Sequence, residues 1–245
     1  MKIAVISDIH ANKMALDCVL NDINKLNPDK IFCLGDIILA GYDPNGVCEE
    51  IIKLQDKYRD DFIIIQGNTD KMVANCTPQL IEKTKEAFPC MGYSLEEDVK
   101  ITKKEYIDFV RNLSEKKTIT LNNVTIELVH GSPRRQDENI FPNLDPCDIE
   151  KMVENSPADL ILCGHTHIPC GYSLNSGKTV INAGSLGRSM MPDCKPVYLQ
   201  LTIDKYGKLY SEHIKLEYDN KMVANHILMR GFKYCEDLAK MYIPR

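Results

Sequence analysis

The chain has 245 residues, of which 44% are hydrophobic and 27% charged, and 30 Lys and Arg against 35 Asp and Glu give a formal net charge of −5. This length can bury one large α/β core, and the apolar content is too high for an intrinsically disordered chain. No period of about 20–50 residues recurs, which excludes a repeat array. The mildly acidic balance, without a long block of either sign, argues against binding to duplex nucleic acid.

The ten cysteines are expected to be free thiols rather than a disulfide framework. Several of them, such as Cys33 and Cys163, lie within apolar runs, where a thiol behaves as a small hydrophobe. No Cys-x-x-Cys pair supports a structural zinc site. The first apolar segment is too short for a signal peptide, and nothing approaches the roughly 20 apolar residues of a membrane span. We therefore expect a cytoplasmic protein that does not bind membranes.

The first part of the chain alternates between strand and helix patterns. Short apolar runs predict strands at 2–7, 30–34 and 62–66, and apolar residues at helical spacing predict helices at 11–26 and 45–58. This alternation predicts a sheet that is parallel in its first half and covered on both faces.

Between residues 71 and 117 the pattern changes to polar helical segments broken by prolines, which predicts a helical insertion. The remaining predicted elements, in chain order, are strands at 118–121 and 124–129, a helix at 145–154, strands at 159–163, 171–174, 179–182, 196–203 and 208–216, and a helix at 220–241. The last four strands are separated by turn signals and are predicted to form an antiparallel meander. No linker divides the chain, so we predict a single domain spanning residues 1–245.

Potential metal ligands follow the ends of five apolar strand candidates. They are Asp8, His10, Asp36, Asn68, His130, His165 and His167. Ligands of α/β sheets bind beyond the carboxyl ends of the strands, so these side chains are expected to converge there. Each one alone is more often a cap, a turn residue or a structural histidine, but seven at the same end of the strands favour a metal site. The preceding Gly35, Gly67 and Gly164 are expected to allow sharp turns.

The types of ligand indicate which metals could bind. Imidazole and carboxylate without thiolate favour manganese, iron, zinc or nickel over a structural zinc. Seven ligands are too many for one tetrahedral ion and suit two divalent or trivalent ions about 3.5–4 Å apart, an arrangement that can clamp both oxygens at a phosphoryl centre.

Five motifs in a fixed order carry a resemblance to a known family. They are DIH at 8–10, GD at 35–36, GN at 67–68, VHG at 129–131 and GHTH at 164–167. With them the chain resembles the calcineurin-like metallophosphoesterases from residue 1 to about residue 187, and it looks closest to the small bacterial phosphodiesterases of that family. The resemblance implies a four-layer α/β/β/α sandwich of two mixed sheets flanked by helices.

The resemblance also implies a role for each ligand. The implied ligands are Asp8, His10 and His167 for one ion, Asn68, His130 and His165 for the other, and Asp36 as the bridge between them. A hydroxide bridging the ions would attack phosphorus in line, and Asp36, Asn68 and His130 would serve catalysis through it. Many members have a histidine after the Asn of the third motif as general acid. This chain has Thr69, whose hydroxyl has no suitable pKa, so the general acid is not identified.

Four side chains are candidates for contacting substrate phosphate, namely Asn12, Asn68, Arg134 and Arg188. An arginine can bind two phosphate oxygens through its planar fork. An equally open alternative is a helix cap for Asn12 and a solvated charge for Arg134, and the glycine-rich segment before Arg188 could simply form a turn.

The leading hypothesis is a dinuclear metal-dependent phosphoesterase that acts on phosphodiesters or small organic phosphates. Phosphomonoesters, phosphoproteins and dinucleoside polyphosphates are alternative substrates, and the insertion is expected to roof the crevice and decide among them. The third hypothesis is a non-catalytic scaffold, a use to which the same fold is put in the retromer complex. The complete ligand set argues against it, and the sequence does not indicate an oligomeric state.

Overall fold

Two five-stranded sheets form the centre of the protein, of which the computed structural model describes residues 1–244. The strands are β1 (Lys2–Ile6), β2 (Lys30–Cys33), β3 (Phe62–Ile64), β4 (Lys116–Leu121), β5 (Val124–Val129), β6 (Leu160–Cys163), β7 (Cys170–Ser173), β8 (Thr179–Asn182), β9 (Val197–Ile203) and β10 (Leu209–Lys215). The helices are α1 (Lys13–Leu26), α2 (Pro44–Tyr58), α3 (Asn68–Ala74), α4 (Pro78–Ala87), α5 (Pro89–Ile101), α6 (Lys104–Arg111), α7 (Pro146–Val153), α8 (Asn220–Met229) and α9 (Cys235–Lys240).

Both sheets are mixed. The first has the order β10-β9-β1-β2-β3 and the second the order β4-β5-β6-β8-β7. Strands β1, β2 and β3 are parallel, as are β5, β6 and β8, while β9, β10, β4 and β7 pair in antiparallel fashion. Each sheet therefore presents the carboxyl ends of its parallel strands at one edge, which is where α/β proteins bind ligands.

Alternating side chains along the central strands divide the apolar residues between layers. On β1, Ile3 and Val5 belong to the core between the two sheets, whereas Ala4 and Ile6 pack against the helices on the outer face. On the other side, Ile161 of β6 packs with α7. The layers are helices, sheet, sheet and helix, so the predicted four-layer α/β/β/α sandwich is confirmed.

The last four strands form two hairpins, and the predicted meander was wrong. Strands β7 and β8 pair with each other, and β8 continues the second sheet beside β6. Strands β9 and β10 form a separate hairpin in the first sheet, where β9 pairs with β1. Turn residues mark a hairpin locally but carry no information about the sheet that the hairpin joins.

The C-terminal segment also differs from its prediction as one helix over 220–241. It consists of α8 and α9, and between them Gly231 and Tyr234 have φ of 66° and 67°. A left-handed backbone ends an α-helix, so the two short helices can fold against each other.

The predicted insertion is occupied mainly by α4, α5 and α6, although α3 begins before it at Asn68 and β4 begins within it at Lys116. Buried residues of α5 and α6, such as Leu95 and Val110, join the core on the helical face of the first sheet. Cys33 and Cys163 are fully buried free thiols, as the sequence predicted. No helix within residues 1–244 is long and apolar enough to cross a membrane.

The packing of the core between the two sheets predicts how a substitution that leaves a cavity changes stability. Leu199 of β9 is fully buried there, whereas Leu228 of α8 is 41% exposed. We expect Leu199→Ala to lower the free energy of unfolding by about 2–5 kcal/mol, because it loses buried contacts and leaves a void. Leu228→Ala is expected to cost less than about 1 kcal/mol. Denaturant unfolding measures both, and equal losses would contradict this account of the core.

Candidate metal centre

The loops that follow β1, β2, β5 and β6 meet at one end of the two sheets. The amide of Asp8 donates to the carbonyl of Gly35 at 3.0 Å, and the amide of Gly164 donates to the carbonyl of His130 at 2.8 Å. A third bond joins the sheets, because the amide of His165 donates to Oδ2 of Asp8 at 3.1 Å. The strand ends on which the sequence placed its candidate ligands therefore lie in one crevice.

Asp8, His10, Asp36 and His167 form the tightest cluster in this crevice. All four are buried, and their ligand atoms lie within 4.8 Å of one another. Nε2 of His167 lies 3.2 Å from Oδ1 of Asp8, Nε2 of His10 lies 3.6 Å from Oδ2 of Asp36, and the two Nε2 atoms are 3.1 Å apart. Ligands of one cation, each about 2.0–2.2 Å from it, have spacings of this kind.

His130 lies next to the same two carboxylates but is not part of the cluster of four. Its Nε2 lies 3.3 Å from Oδ2 of Asp36 and 3.8 Å from Oδ1 of Asp8. The ring of the partly buried His165 packs edge-on against that of His130, with the centroids 5.3 Å apart. Asn68 is the first residue of α3 and lines a cavity of about 360 Å³. His130 lines a neighbouring cavity of about 280 Å³. Oδ2 of Asp36 therefore lies close to imidazole nitrogens of both His10, at 3.6 Å, and His130, at 3.3 Å.

Three buried side-chain atoms in the crevice have no hydrogen-bond partner, namely Oδ1 of Asp8, Oδ1 of Asn68 and Nε2 of His130. Leaving a buried polar atom unsatisfied costs about 1–3 kcal/mol, so three at one place require an explanation such as a bound ion. Carboxylate, amide and imidazole atoms are ligands of divalent cations. The residues present therefore fit a metal.

Backbone carbonyls orient three of the histidines. Each carbonyl accepts a hydrogen bond from the Nδ1 atom of one imidazole. The pairs are His10 with Leu39 at 3.0 Å, His130 with Leu34 at 2.7 Å and His167 with Arg188 at 2.6 Å. When Nδ1 holds the hydrogen, Nε2 presents its lone pair to the crevice, which is the usual arrangement behind metal-binding histidines.

Five of the seven candidate ligands have left-handed backbone with φ between 48° and 67°. They are Asp8, His10, Asp36, His165 and His167. This conformation costs about 1–2 kcal/mol for a residue other than glycine. Such strain persists only where the surroundings hold it, and it clusters at functional sites. Here loop contacts hold it, including a bond of 2.9 Å from the amide of His10 to the carbonyl of Asp36.

The glycines before the ligands serve close approach more than turning. Of the three predicted to allow sharp turns, only Gly35 has a positive φ, at 89°. Gly67 has φ of −90°, but a Cβ there would lie 2.1 Å from Oδ1 of Asp36. A Cβ on Gly164 would lie 2.0 Å from the hydroxyl of Ser7. At Gly67 and Gly164 the packing of one loop on another is what requires glycine.

The two carboxylates are buried yet remain ionised. Burial raises the pKa of Asp8, but the nearby imidazole of His167 outweighs it, and the pKa falls to about 2. Burial likewise opposes ionisation of Asp36, whose pKa the neighbouring His130 holds far below its usual range. Burial also disfavours the charged form of His130, but Asp36 raises its pKa to about 10. A proton on His130 thus offsets negative charge where a cation would bind.

The polar atoms of the Asn12 side chain are bonded within the protein. It is fully buried, its Oδ1 accepts the amide of Ala15 at 3.1 Å, and its Nδ2 donates to the carbonyl of Gly187 at 2.7 Å and to the hydroxyl of Tyr218 at 3.3 Å. The structure thus favours the helix cap that the sequence left open, and Asn12 has no group free for a substrate.

The two candidate arginines lie on different sides of the centre. Arg134 lines both cavities and pairs with Glu138, with Nε 3.1 Å from a carboxylate oxygen. The guanidinium of Arg188 donates to Sδ of Met91 at 3.2 Å, and its buried Nε has no partner.

The sequence analysis missed several residues around the centre. Asp70 accepts the amides of Ile37 at 2.9 Å, Ile38 at 3.1 Å and Gly67 at 3.0 Å, which ties the loops of two candidate ligands together. The other charged or amide side chains that line the cavities are those of Lys71, Glu115, Lys116, Arg135, Gln136 and Asp137. Those at 135–137 follow the VHG motif closely and could have been found, whereas the rest lie near the limits of the insertion.

The position of Asp36 predicts the effect of its neutralisation. We expect Asp36→Asn to weaken Mn²⁺ binding by more than about 100-fold, because even groups behind a ligand change metal affinity about 10–100-fold. Asp61→Asn is a matched control, since that carboxylate is 54% exposed and pairs with Lys30. Equilibrium dialysis measures both affinities, and wild-type affinity in Asp36→Asn would exclude a metal at this place.

The raised pKa of His130 predicts proton release on metal binding. Its ring is protonated near pH 7 in the metal-free protein, because its pKa is about 10. Metal requires the neutral ring, so binding releases a proton and the apparent affinity rises with pH below that pKa. Titration calorimetry in two buffers of different ionisation enthalpy counts the protons. The same count in His130→Gln would contradict the assignment of the proton to His130.

Comparisons with known proteins identify the family. The model of the calcineurin-like phosphoesterase superfamily domain matches residues 1–205. The uncharacterized protein MJ0912 of Methanocaldococcus jannaschii is 32% identical over 244 residues, which cover 92% of this chain and 91% of that protein. The crystal structure of hypothetical protein PH1004 from Pyrococcus horikoshii OT3 has a TM-score of 0.89 with 22% identity, covering 99% of this chain and 98% of that one. That of a metallophosphoesterase from Sphaerobacter thermophilus has a TM-score of 0.77 with the same 22% identity and the same 99% and 98% coverage. The chain belongs to the calcineurin-like phosphoesterase superfamily and is a metal-dependent phosphoesterase.

Proposed function

We propose that the protein is a dinuclear phosphodiesterase that hydrolyses small organic phosphodiesters. The observation that carries the proposal is the position of Asp36, whose Oδ2 lies 3.6 Å from Nε2 of His10 and 3.3 Å from Nε2 of His130. One carboxylate thus lies next to a histidine of each proposed set of ligands. The proposed sets are Asp8, His10 and His167 on one side and Asn68, His130 and His165 on the other, with Asp36 shared. Two such ions, when bound, supply positive charge to phosphoryl oxygens and acidify water.

Arg188 is the side chain best placed to bind the scissile phosphate beside the His10 side of the centre. Within residues 1–244 it forms no ion pair with a carboxylate, and its buried Nε lacks a partner. Burial and this nearby positive charge lower the pKa of His10 to about 3, so His10 stays neutral and fit to bind metal. A thioether is a weak acceptor, so a phosphate oxygen can replace Met91 as the partner of the guanidinium.

The cavities beyond Asn68 and His130 are suited to the rest of the ester. Arg134, Arg135 and Gln136 line both of them. The ion pair of Arg135 with Asp137, at 3.0 Å, joins two side chains that are more than half exposed, and such pairs contribute little stability. Arg135 can therefore exchange its carboxylate partner for an anionic substrate. None of the residues that line the two cavities is Phe, Tyr or Trp, which favours a polar substituent over a stacked base.

Thr69 favours substrates whose leaving group needs no proton from a general acid at this position. Its hydroxyl donates to the carbonyl of Ile38 at 3.1 Å, and its amide donates to Oδ1 of Asp36 at 2.8 Å. The hydroxyl is thus engaged by the backbone, and its pKa is far above that of an effective general acid. Esters with acidic leaving groups are therefore the expected substrates.

Hydrolysis of bis-p-nitrophenyl phosphate with added Mn²⁺ tests the proposal. We expect Asp36→Ala and His165→Ala to lose at least about 100-fold in kcat/KM, since each removes a proposed ligand. His213→Gln is the control, because the ring of His213 bonds the backbone carbonyl of Asn182, at 2.7 Å, and is not a proposed ligand. Undiminished activity in either alanine variant would exclude the proposed centre.

A substrate panel decides among the alternatives. p-Nitrophenyl phosphate, a phosphopeptide and a dinucleoside polyphosphate are compared with the diester at matched Mn²⁺. The diester is expected to have the highest kcat/KM, and faster cleavage of any other member would replace the proposed substrate class. No turnover of any member, with no metal bound, would favour a scaffold instead.

A further inference from the structure

The loop between β2 and α2 has a strained backbone next to the metal centre. Leu39 and Ala40 have φ of 80° and 68°, in the left-handed region that bulky residues rarely adopt. The carbonyl of Leu39 is the group that orients His10, with Nδ1 of His10 at 3.0 Å. The orientation of this ligand therefore depends on a loop conformation that needs support from outside the loop.

Three side chains from distant parts of the chain provide this support. The amide of Ala40 donates to Oδ2 of Asp98 at 3.1 Å, and the carbonyl of Ala40 accepts a hydrogen bond from the hydroxyl of Tyr242. The carbonyl of Gly41 accepts a hydrogen bond from Nη1 of Arg230 at 2.7 Å. Asp98 lies in α5, Arg230 follows α8 and Tyr242 follows α9. Consecutive polar groups of the loop thus each bind a different helical element.

The supporting side chains also bind one another. Nη1 of Arg230 lies 2.8 Å from Oδ1 of Asp98, and the two side chains are 8% and 0% exposed. The buried hydroxyl of Ser94 donates to Oδ2 of Asp98 at 3.0 Å. A buried ion pair contributes little net stability compared with apolar packing, but a connected network of this kind restricts its groups to one arrangement.

We propose that Asp98, Arg230 and Tyr242 are positioning residues that hold His10 through residues 39–41 and thereby set the affinity for the ion on the His10 side. The inference rests on the proposed dinuclear centre. Arg230 and Tyr242 lie beyond residue 205, where the match to the family model ends, and Asp98 lies in the insertion. The carbonyl that orients His130 is that of Leu34, at 2.7 Å from Nδ1, and it lies outside residues 39–41. We therefore expect the network to act chiefly on the ion of the His10 side.

Mn²⁺ titration of the metal-free, full-length protein by calorimetry tests this role with Tyr242→Phe. The substitution removes one hydroxyl and keeps the ring. We expect one of the two binding steps to weaken about tenfold, as for a group behind a metal ligand, and the other to stay within twofold of wild type. Tyr198→Phe is the matched control, because Tyr198 is a buried tyrosine whose hydroxyl donates to Asp22 at 2.9 Å on another part of the protein.

A double-substitution cycle separates positioning from a general loss of stability. His10→Ala should abolish or weaken the same binding step, and Tyr242→Phe added to His10→Ala should cause no further loss in metal affinity, since its effect passes through His10. Amide hydrogen exchange at residues 38–41 of the metal-free protein should be faster in Tyr242→Phe than in Tyr198→Phe.

The results that overturn the inference are distinct from those that overturn the proposed function. Wild-type affinity for both ions in Tyr242→Phe, an equal loss in Tyr198→Phe, or additive losses in the double variant would overturn the positioning role. A wild-type protein that binds a single ion would overturn the dinuclear proposal. In that case the positioning role would still be supported if Tyr242→Phe lowered the affinity for that ion about tenfold and if this loss disappeared in the His10→Ala background. Wild-type affinity in Tyr242→Phe would exclude the positioning role.

Discussion

Two fully buried carboxylates, those of Asp8 and Asp36, are the constraint on which the rest of this structure depends. Burying an ion costs several kcal/mol unless opposite charge and hydrogen bonds compensate for it. Here the compensation comes from imidazoles and from backbone amides, such as that of Thr69, which donates to Asp36 at 2.8 Å. Two divalent ions would outweigh the two carboxylates, so the crevice can attract an anionic phosphate although the chain has a net charge of −5.

The sandwich fold supplies this compensation because it joins the carboxyl ends of two parallel sets of strands. The carboxylate of Asp8 follows β1 in the first sheet, yet it accepts the amide of His165 from the second at 3.1 Å. His130 of the second sheet in turn binds the carbonyl of Leu34 in the first at 2.7 Å. Such bonds allow ligand residues to keep left-handed backbone, whose strain is offset by the rigid sheets on either side.

Helices that do not belong to the two sheets contribute at the edges of the centre. Helix α5 of the insertion brings Met91 to Arg188 and Asp98 to the loop beside His10. The C-terminal helices bring Tyr242 to the same loop. One side of the centre is therefore built on parts of the chain that the family model does not cover or that interrupt the sheets, which is where relatives of one fold can differ in substrate.

The sequence by itself determined the alternation of strands and helices and the convergence of the candidate ligands, because both follow from local patterns: apolar runs form strands, and polar residues directly after parallel strands lie at one edge. The four layers were implied by the resemblance of its motifs to a known family. Only the tertiary structure decided which sheet each hairpin joins, that Asn12 is a cap, and that Gly67 and Gly164 are required by loop packing. It also decided that Asp98 and Tyr242 meet at one loop. These outcomes depend on contacts between residues far apart in the chain, and no local pattern encodes such contacts.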